Sequence, residues 1–361
     1  MSAEFYNQRN LKCLDRIAAL RKALPLFVGE FLLGIEQRTT PLTRLNYCYD
    51  LKTFFDFLCR EVFFGKAPTA LTLSELNAVT TSQLEQYVGS LSHFRDDGGK
   101  RHALGERAKS RHLSCIKSMF KYFFRKERLA SNVSANVDLP KLHDKEIVRL
   151  EVDEVVRLLN TAEDGSGLTA RQQAFHAHTA VRDVALLTLL LGTGIRISEC
   201  VGLNVSDLDF STGGFRVIRK GGGSTVLYFS DEIADALKKY LAVREALLDP
   251  DGEKNALFIS LHHARISVRA VQLLVKKYSE VATPLKHITP HKLRSTYGTA
   301  LYRETKDIYI VADVLGHRDI NTTKKHYAAI SEDIRRGAAG KVKLRDDDIP
   351  ADPPNKKPKK S

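Results

Sequence analysis

The chain has 361 residues, which at roughly 150 residues per domain implies about two domains. With 27% charged and 43% hydrophobic residues, it has the composition of a soluble globular protein, not of a disordered or fibrous one. Lysine and arginine (56) exceed aspartate and glutamate (43), and the resulting charge of +13 favours a polyanionic partner, nucleic acid first and an anionic membrane surface second.

The opening residues, Met1 to Phe5, show neither the basic start nor the apolar stretch of a signal peptide. From Tyr47 onward, Leu51, Phe54, Phe55, Leu58 and Val62 recur at helical spacing and predict one buried stripe. A second helix is predicted from about Glu106 to Arg125, burying Leu113, Ile116, Phe120, Phe123 and Phe124. It carries Arg107, Lys109, Arg111, Lys117 and Lys121 elsewhere, almost without acids between them. Such a face suits the tracking of phosphates, with a merely solvated face as the alternative. The five cysteines, Cys13, Cys48, Cys59, Cys115 and Cys200, are scattered and form no CxxC pair. That argues against a disulfide framework or a zinc ribbon and for reduced thiols in the cytosol.

Around Val137 to Glu146 the helical pattern breaks at a segment with Pro140 and alternating charges, which suits a linker. The expected organisation is a helical domain over 1–139, a linker over 140–147, a second domain over 148–340 and a polar tail over 341–361. The tail is too polar and proline-rich to fold alone. Helical patterning resumes from Leu150 with Val152, Val155, Val156 and Leu159, and Ala162 to Gly167 reads as a polar loop. A buried helix follows from Val181 to Leu191 and ends at Gly192-Thr193-Gly194. Its apolar core, Val184 to Leu191, is far short of the ~20 residues that span a membrane. Two strands, Phe215 to Arg219 and Thr225 to Phe229, are joined by a glycine-rich turn, and the remainder is mainly helical.

Several motifs imitate chemistry without supplying it. Gly221 to Gly223 lacks the Gly-Lys-Ser/Thr of a phosphate loop, and Gly192 and Gly194 form a lone GxG with no third glycine. His287 and His291 have the spacing of a helical zinc pair, but Pro290 lies between them and breaks the shared face. His262 and His263 read as surface residues. No metal or cofactor is expected.

Four segments supply cations and donors in places that make joint sense. Arg196 follows the Gly-Thr-Gly turn and begins a helix, with Glu199 three residues on along the same face. Either Glu199 pairs with it structurally, or Arg196 binds an anion while Glu199 positions it. Lys220 sits where the first strand meets the glycine turn, which allows a close approach to a substrate backbone; an ordinary turn lysine is the alternative. Thr289-Pro290-His291-Lys292-Leu293-Arg294 reads as a helix start with Thr289 as N-cap, putting His291 and Arg294 near an N-terminus suited to a phosphate. Leu293, Tyr297, Ala300 and Leu301 form the predicted buried stripe of that helix. Leu315-Gly316-His317 reads as a glycine-capped helix end, followed by a polar turn and a helix carrying Tyr327.

Taken together, GTGIRISE, RKGG, HKLRSTYGTAL and LGH followed by tyrosine resemble the tyrosine recombinase (phage integrase) family, nearest to Xer-like recombinases and mobile-element integrases. The order and spacing strengthen the likeness: 24 positions from Arg196 to Lys220, 71 on to His291 and 26 on to His317. The resemblance implies a mainly α fold with a small β-sheet, built as a two-domain clamp. Its parts would be a helical SAM-like core-binding domain and a mixed α/β catalytic domain. It implies that Tyr327 attacks the scissile phosphodiester to form a 3′-phosphotyrosine and release a 5′-hydroxyl. Arg196 and Arg294 would grip the non-bridging oxygens, Lys220 would protonate the leaving oxygen, and His291 would assist proton transfer at the nucleophile. His317 would donate to a phosphate oxygen, with Glu199 in support. Partners implied are double-stranded DNA with specific sites, a homotetramer on synapsed DNA passing through a Holliday junction, and a directionality or host factor. The expected location is the cytoplasm, on the nucleoid.

Two departures stand out. Tyr327 lies ten positions after His317, where the family's usual gap is nine, and Ser295 follows Arg294 where many relatives carry a second histidine. Competing readings are a DNA-binding accessory protein without catalysis, a type IB topoisomerase, and a membrane-surface protein.

Overall fold

A computed structural model describes residues 3–95, 101–142, 148–219, 222–245 and 254–317. The described residues fall into two compact units, one within Ala3–Lys145 and the other from Glu146 onward. The tail predicted over 341–361 and most of the expected linker lie outside the described residues.

The first unit is helical. Its elements are α1 (Ala3–Arg21), α2 (Leu26–Gly34), α3 (Pro41–Glu61), α4 (Leu73–Ala78), α5 (Thr81–Ser90), a short antiparallel pair β1 (Phe94–Arg95) and β2 (Arg101–His102), and α6 (Glu106–Arg125). Helix α3 starts where Thr40 caps it, its Oγ1 accepting from Thr43 N at 3.2 Å, with Pro41 at the first position. Leu51, Phe54, Phe55 and Leu58 are buried as their spacing predicts. Aromatic rings fill the space between α2, α3 and α6: Phe27 meets Phe55 and Phe123 edge-on at 5.7 and 5.6 Å, the geometry that ring quadrupoles favour. Helix α6 has the predicted bounds and buries Leu113, Ile116, Phe120 and Phe123. Phe124, expected inside, is 44% exposed because its position turns to the edge of the apolar stripe.

The second unit contains α7 (Val152–Asp164), α8 (Ala170–Thr193), α9 (Ile197–Cys200), strands β3 (Leu208–Asp209), β4 (Gly214–Ile218) and β5 (Ser224–Tyr228), α10 (Asp231–Arg244), α11 (Val268–Ala282), α12 (Pro290–Thr305) and α13 (Ile308–Leu315). The strands form an antiparallel sheet in the order β3-β4-β5, with Ile218 opposite Ser224 at the hairpin mouth. Helix α7 runs through Ala162 to Asp164, so the predicted loop begins only at Gly165, which takes the left-handed conformation (φ 71°). Val152 and Val156 face solvent, and Leu158, Thr161 and Ala162 are buried in their place.

Helix α8 starts eleven residues before the predicted Val181, where Thr169 caps it and Gln172 returns the bond. It packs against α7, α10 and α12. An 18-residue window of α8 is apolar enough to cross a membrane, and half of it is buried within the protein. The helix also buries Asp183, which accepts from Arg182, Lys277, Tyr278 and Thr179. A fourfold-satisfied carboxylate pinning α11 to α8 marks a core helix of a folded domain.

Candidate active site and nucleic-acid interface

Three chain reversals build the site. Helix α8 ends in Gly194 (φ 59°), which turns the chain so that Arg196 becomes the N-cap of α9. Pro290 opens α12, leaving His287 before the helix and His291 within its first turn. Thr289 holds the N-cap position through its backbone, its carbonyl accepting from Lys292 N at 2.8 Å. Helix α13 ends in Gly316 (φ 60°), and His317 N closes the reversal by donating to Ala312 O at 2.8 Å.

These reversals bring Arg196, Glu199, Arg294 and the Gly316–His317 turn together, from segments as far as 120 residues apart. Arg196 donates through Nη1 to Glu199 Oε1 at 2.9 Å and through Nη2 to the Gly316 carbonyl at 2.8 Å. The other carboxylate oxygen of Glu199 accepts the Arg196 backbone N–H at 3.0 Å. Arg294 is 4% exposed. It donates to the Gly194 carbonyl at 2.6 Å and to the Leu315 carbonyl. Glu199 is 2% exposed, so the ion pair with Arg196 is real, while the Arg196 side chain keeps 31% of its surface open. The first sequence alternative for Arg196 holds, since the pair is structural, and the guanidinium it orients stays partly accessible.

Sequence reasoning missed Arg219. It donates through Nη1 to Glu199 Oε2 at 3.3 Å and through Nη2 to the Val314 carbonyl at 2.6 Å. Burial pulls its guanidinium below the ordinary arginine range; Glu199 opposes the shift and Arg196 adds to it. Strand alternation was the available signal, since Phe215, Val217 and Arg219 share parity and the first two are buried. His291 is exposed at the start of α12, and Ser295 Oγ donates to its carbonyl at 3.1 Å. His317 is half-buried. Lys220 and Tyr327 lie outside the described residues. On α12 the expected stripe is corrected: Leu293 is buried, but Ala300 faces solvent and Tyr302 goes inward instead.

The cations of α6 divide in two. Arg107, Arg111, Lys117 and Lys121 share one face by helical spacing. Lys109 points elsewhere and pairs with Glu106 at 2.9 Å. Arg111 is held at 2.9 Å by the buried Asp50 and stays 46% exposed. Beside this face lies an open groove of about 1100 Å³ lined by Arg38, Lys117, Lys121, Arg125, Lys126 and Phe124, with no carboxylate among its lining residues. Behind it, Asp50 sits 3.2 Å from His112, whose other ring nitrogen lies 2.9 Å from the Tyr87 hydroxyl. Burial pushes the Asp50 carboxyl up to about 7, against the lowering effect of Arg111. Burial likewise pulls His112 down to about 4, and Arg111 adds to the shift.

The sequence profile of the phage integrase family matches residues 148–333. The chain is 31% identical over 307 residues to the tyrosine recombinase XerC of Vibrio vulnificus, covering 85% of this chain and 86% of that protein. To the tyrosine recombinase XerD of Oceanobacillus iheyensis it is 32% identical over 216 residues, 60% of this chain and 69% of that one. Among solved structures, the XerH recombinase bound to its palindromic difH substrate shares the fold with a TM-score of 0.62 at 18% identity, over 83% of this chain and 80% of that one. The integrase of transposon Tn1549 in complex with circular intermediate DNA does so at 0.63 and 19%, over 86% and 98%. The chain belongs to the phage integrase family, the tyrosine recombinases. Its fold is mainly helical with a small antiparallel sheet, as the sequence resemblance implies. The accessory-protein and topoisomerase readings gain nothing from these likenesses.

Proposed function

We propose that this chain is a site-specific DNA recombinase that cuts and rejoins duplex DNA by transesterification at Tyr327. The phenol oxygen bonds to the scissile phosphorus as the bond to the 5′-oxygen breaks. The phenol proton passes toward His291, and the 5′-oxygen takes a proton from the Lys220 ammonium. Arg196, Arg294 and His317 donate to the non-bridging oxygens as charge builds on them, with Glu199 aiming Arg196. Rejoining runs the same step backward, so the bond energy stays in the phosphotyrosine and no nucleotide is consumed.

The observation that carries this reading is the convergence of Arg196, Arg294 and the Gly316–His317 turn in one cluster. A cluster of fixed donors is what a phosphoryl transition state requires, and loss of one such donor costs about 10²–10³-fold in rate. The charge of +13 and the cation-lined face of α6 support duplex DNA as the substrate. In this reading residues 1–139 are the core-binding half of a clamp, residues 148–340 the catalytic half, and Arg107, Arg111, Lys117 and Lys121 of α6 contact phosphates. A homotetramer would exchange strands through a Holliday junction, as one solved relative of the fold is described, a lambda integrase tetramer bound to a Holliday junction. The biological task falls within element integration and excision or chromosome resolution in the cytoplasm.

The test incubates sheared genomic DNA of the source organism with the wild-type chain and with Tyr327→Phe, then sequences detergent-resistant protein–DNA adducts. Adducts that require Tyr327 and cluster at one sequence are expected. Tight DNA binding without any adduct would overturn the proposal.

A further inference from the structure

We infer that Arg219 is a positioning residue for the general acid: it clamps the base of the β4–β5 hairpin to the rest of the catalytic cluster and so sets where Lys220 stands. The inference rests on the role of Lys220 proposed above. Arg219 is the residue immediately before Lys220. Its backbone closes the hairpin, with its N–H donating to the Gly223 carbonyl at 2.7 Å and its carbonyl accepting from Gly222 N at 3.0 Å. Beyond it the chain is Gly221-Gly222-Gly223, and a Cβ added at Gly222 or Gly223 would meet nothing within 4 Å. Gly222 and Gly223, with open space around them, cannot hold a lysine in place by themselves. The constraint must come from the base.

Arg219 supplies it. Its side chain is 11% exposed and reaches two other parts of the site, Glu199 at 3.3 Å and the Val314 carbonyl at 2.6 Å. Glu199 also aims Arg196, and Val314 lies in the last turn of α13, three residues before His317. The guanidinium packs against Gly316, where an added Cβ would lie 3.0 Å from Arg219 Cζ and Nε. One planar fork therefore ties together the strand end bearing Lys220, the carboxylate holding Arg196 and the turn bearing His317. Arginine suits this task because its donors are fixed in one plane.

A misplacement of about 1 Å in a reacting group costs on the order of 10²-fold, so Arg219→Ala should slow strand cleavage by about that factor. A change in leaving group separates positioning of the acid from general damage. A 5′-bridging phosphorothioate departs as a thiolate and needs no proton, so variants defective only in the acid recover on it. Single-turnover cleavage is measured on nicked duplexes carrying the site found by adduct mapping, with oxygen or sulfur at the bridging position. The enzymes are wild type, Arg219→Ala, Arg219→Lys, Lys220→Ala and Arg294→Ala. Expected is recovery of Lys220→Ala and of both Arg219 variants toward the wild-type rate on sulfur, with Arg294→Ala slow on both substrates. If Lys220→Ala recovers and the Arg219 variants do not, Arg219 is merely structural and the inference falls. If Lys220→Ala itself fails to recover, the general-acid reading falls and takes this inference with it. Should Arg219→Ala not fold, Arg219→Lys keeps the charge and carries the same comparison.

Discussion

Gly194 is the hinge on which the cluster turns, and replacing it with alanine has a cost that can be worked out in parts. The residue has φ 59°, a conformation that charges a non-glycine residue about 1–2 kcal/mol. A Cβ there would press into the Tyr297 ring and lie 2.9 Å from Leu315 Cδ2. Overpacking of this kind costs about 1–3 kcal/mol, so Gly194→Ala should lose about 2–5 kcal/mol in all. The two parts separate in a double-mutant cycle with Tyr297→Ala, read by urea titration of the full chain. Removing the ring should return most of the steric part and leave the backbone part of about 1–2 kcal/mol. Because the Gly194 carbonyl accepts from Arg294 at 2.6 Å, cleavage should fall by about 10²-fold in the single variant and recover in step with stability. Additivity of the two substitutions within about 0.5 kcal/mol would refute the argument that the close approach of Tyr297 dictates glycine here.

Two further outcomes follow from the first unit. Lys121→Gln and Arg107→Gln should each weaken duplex binding on any sequence and lower the slope of log K against log salt by about 0.9; fluorescence anisotropy from 50 to 300 mM salt, over which the Debye length falls from about 14 Å to about 6 Å, reads this, and an unchanged slope would remove that residue from the DNA contact. The second concerns Asp50, whose carboxyl is raised from 3.8 to about 7 by burial. A raised pKa means the folded state holds the proton, so its contribution to stability is full below pH 3.8 and is lost as pH rises through about 7. His112, lowered from 6.5 to about 4, has the opposite sign: its contribution is full above 6.5 and is lost as pH falls through about 4. The two nearly cancel in the wild type between those limits. Asp50→Asn leaves the histidine alone, so the stability of wild type relative to this variant should fall by about 4 kcal/mol across that range. Amide exchange of α6, corrected for intrinsic rates, measures it, and a difference that does not vary with pH would show that Asp50 is ionised throughout.

Much of the site was legible because it is built from turns, and turns announce themselves. Thr289-Pro290, Gly194 and Gly316 each mark a reversal by residue type, and α6 keeps its predicted ends because Gly105 and the apolar stripe bound it. The first half of α8 was not legible. Its residues Phe175, His176, His178 and Thr179 carry no clean apolar period, and the helix there is fixed by the Thr169 cap and by Asp183. The partner Lys277 of that carboxylate lies 94 positions away, a distance no local pattern can span. Arg219 shows a third case. Its position continues the parity of the buried Phe215 and Val217 just past β4, but a charged residue at a turn reads as solvated unless its partner is known, and Glu199 comes from a different segment.

The site's electrostatic balance bears on how it would choose between bound states. Arg196, Arg219 and Arg294 bring three positive charges to a cluster in which Glu199 is the carboxylate that two of them touch. The Asp313 carboxylate also acts on Arg219. A phosphodiester carries one negative charge, whereas the pentavalent species formed as Tyr327 attacks carries two. On the proposed chemistry, then, the fixed donors meet more negative charge in the passing geometry than in the resting diester. Such a site attracts the passing geometry more strongly than the intact diester, and spends that attraction at the moment of exchange.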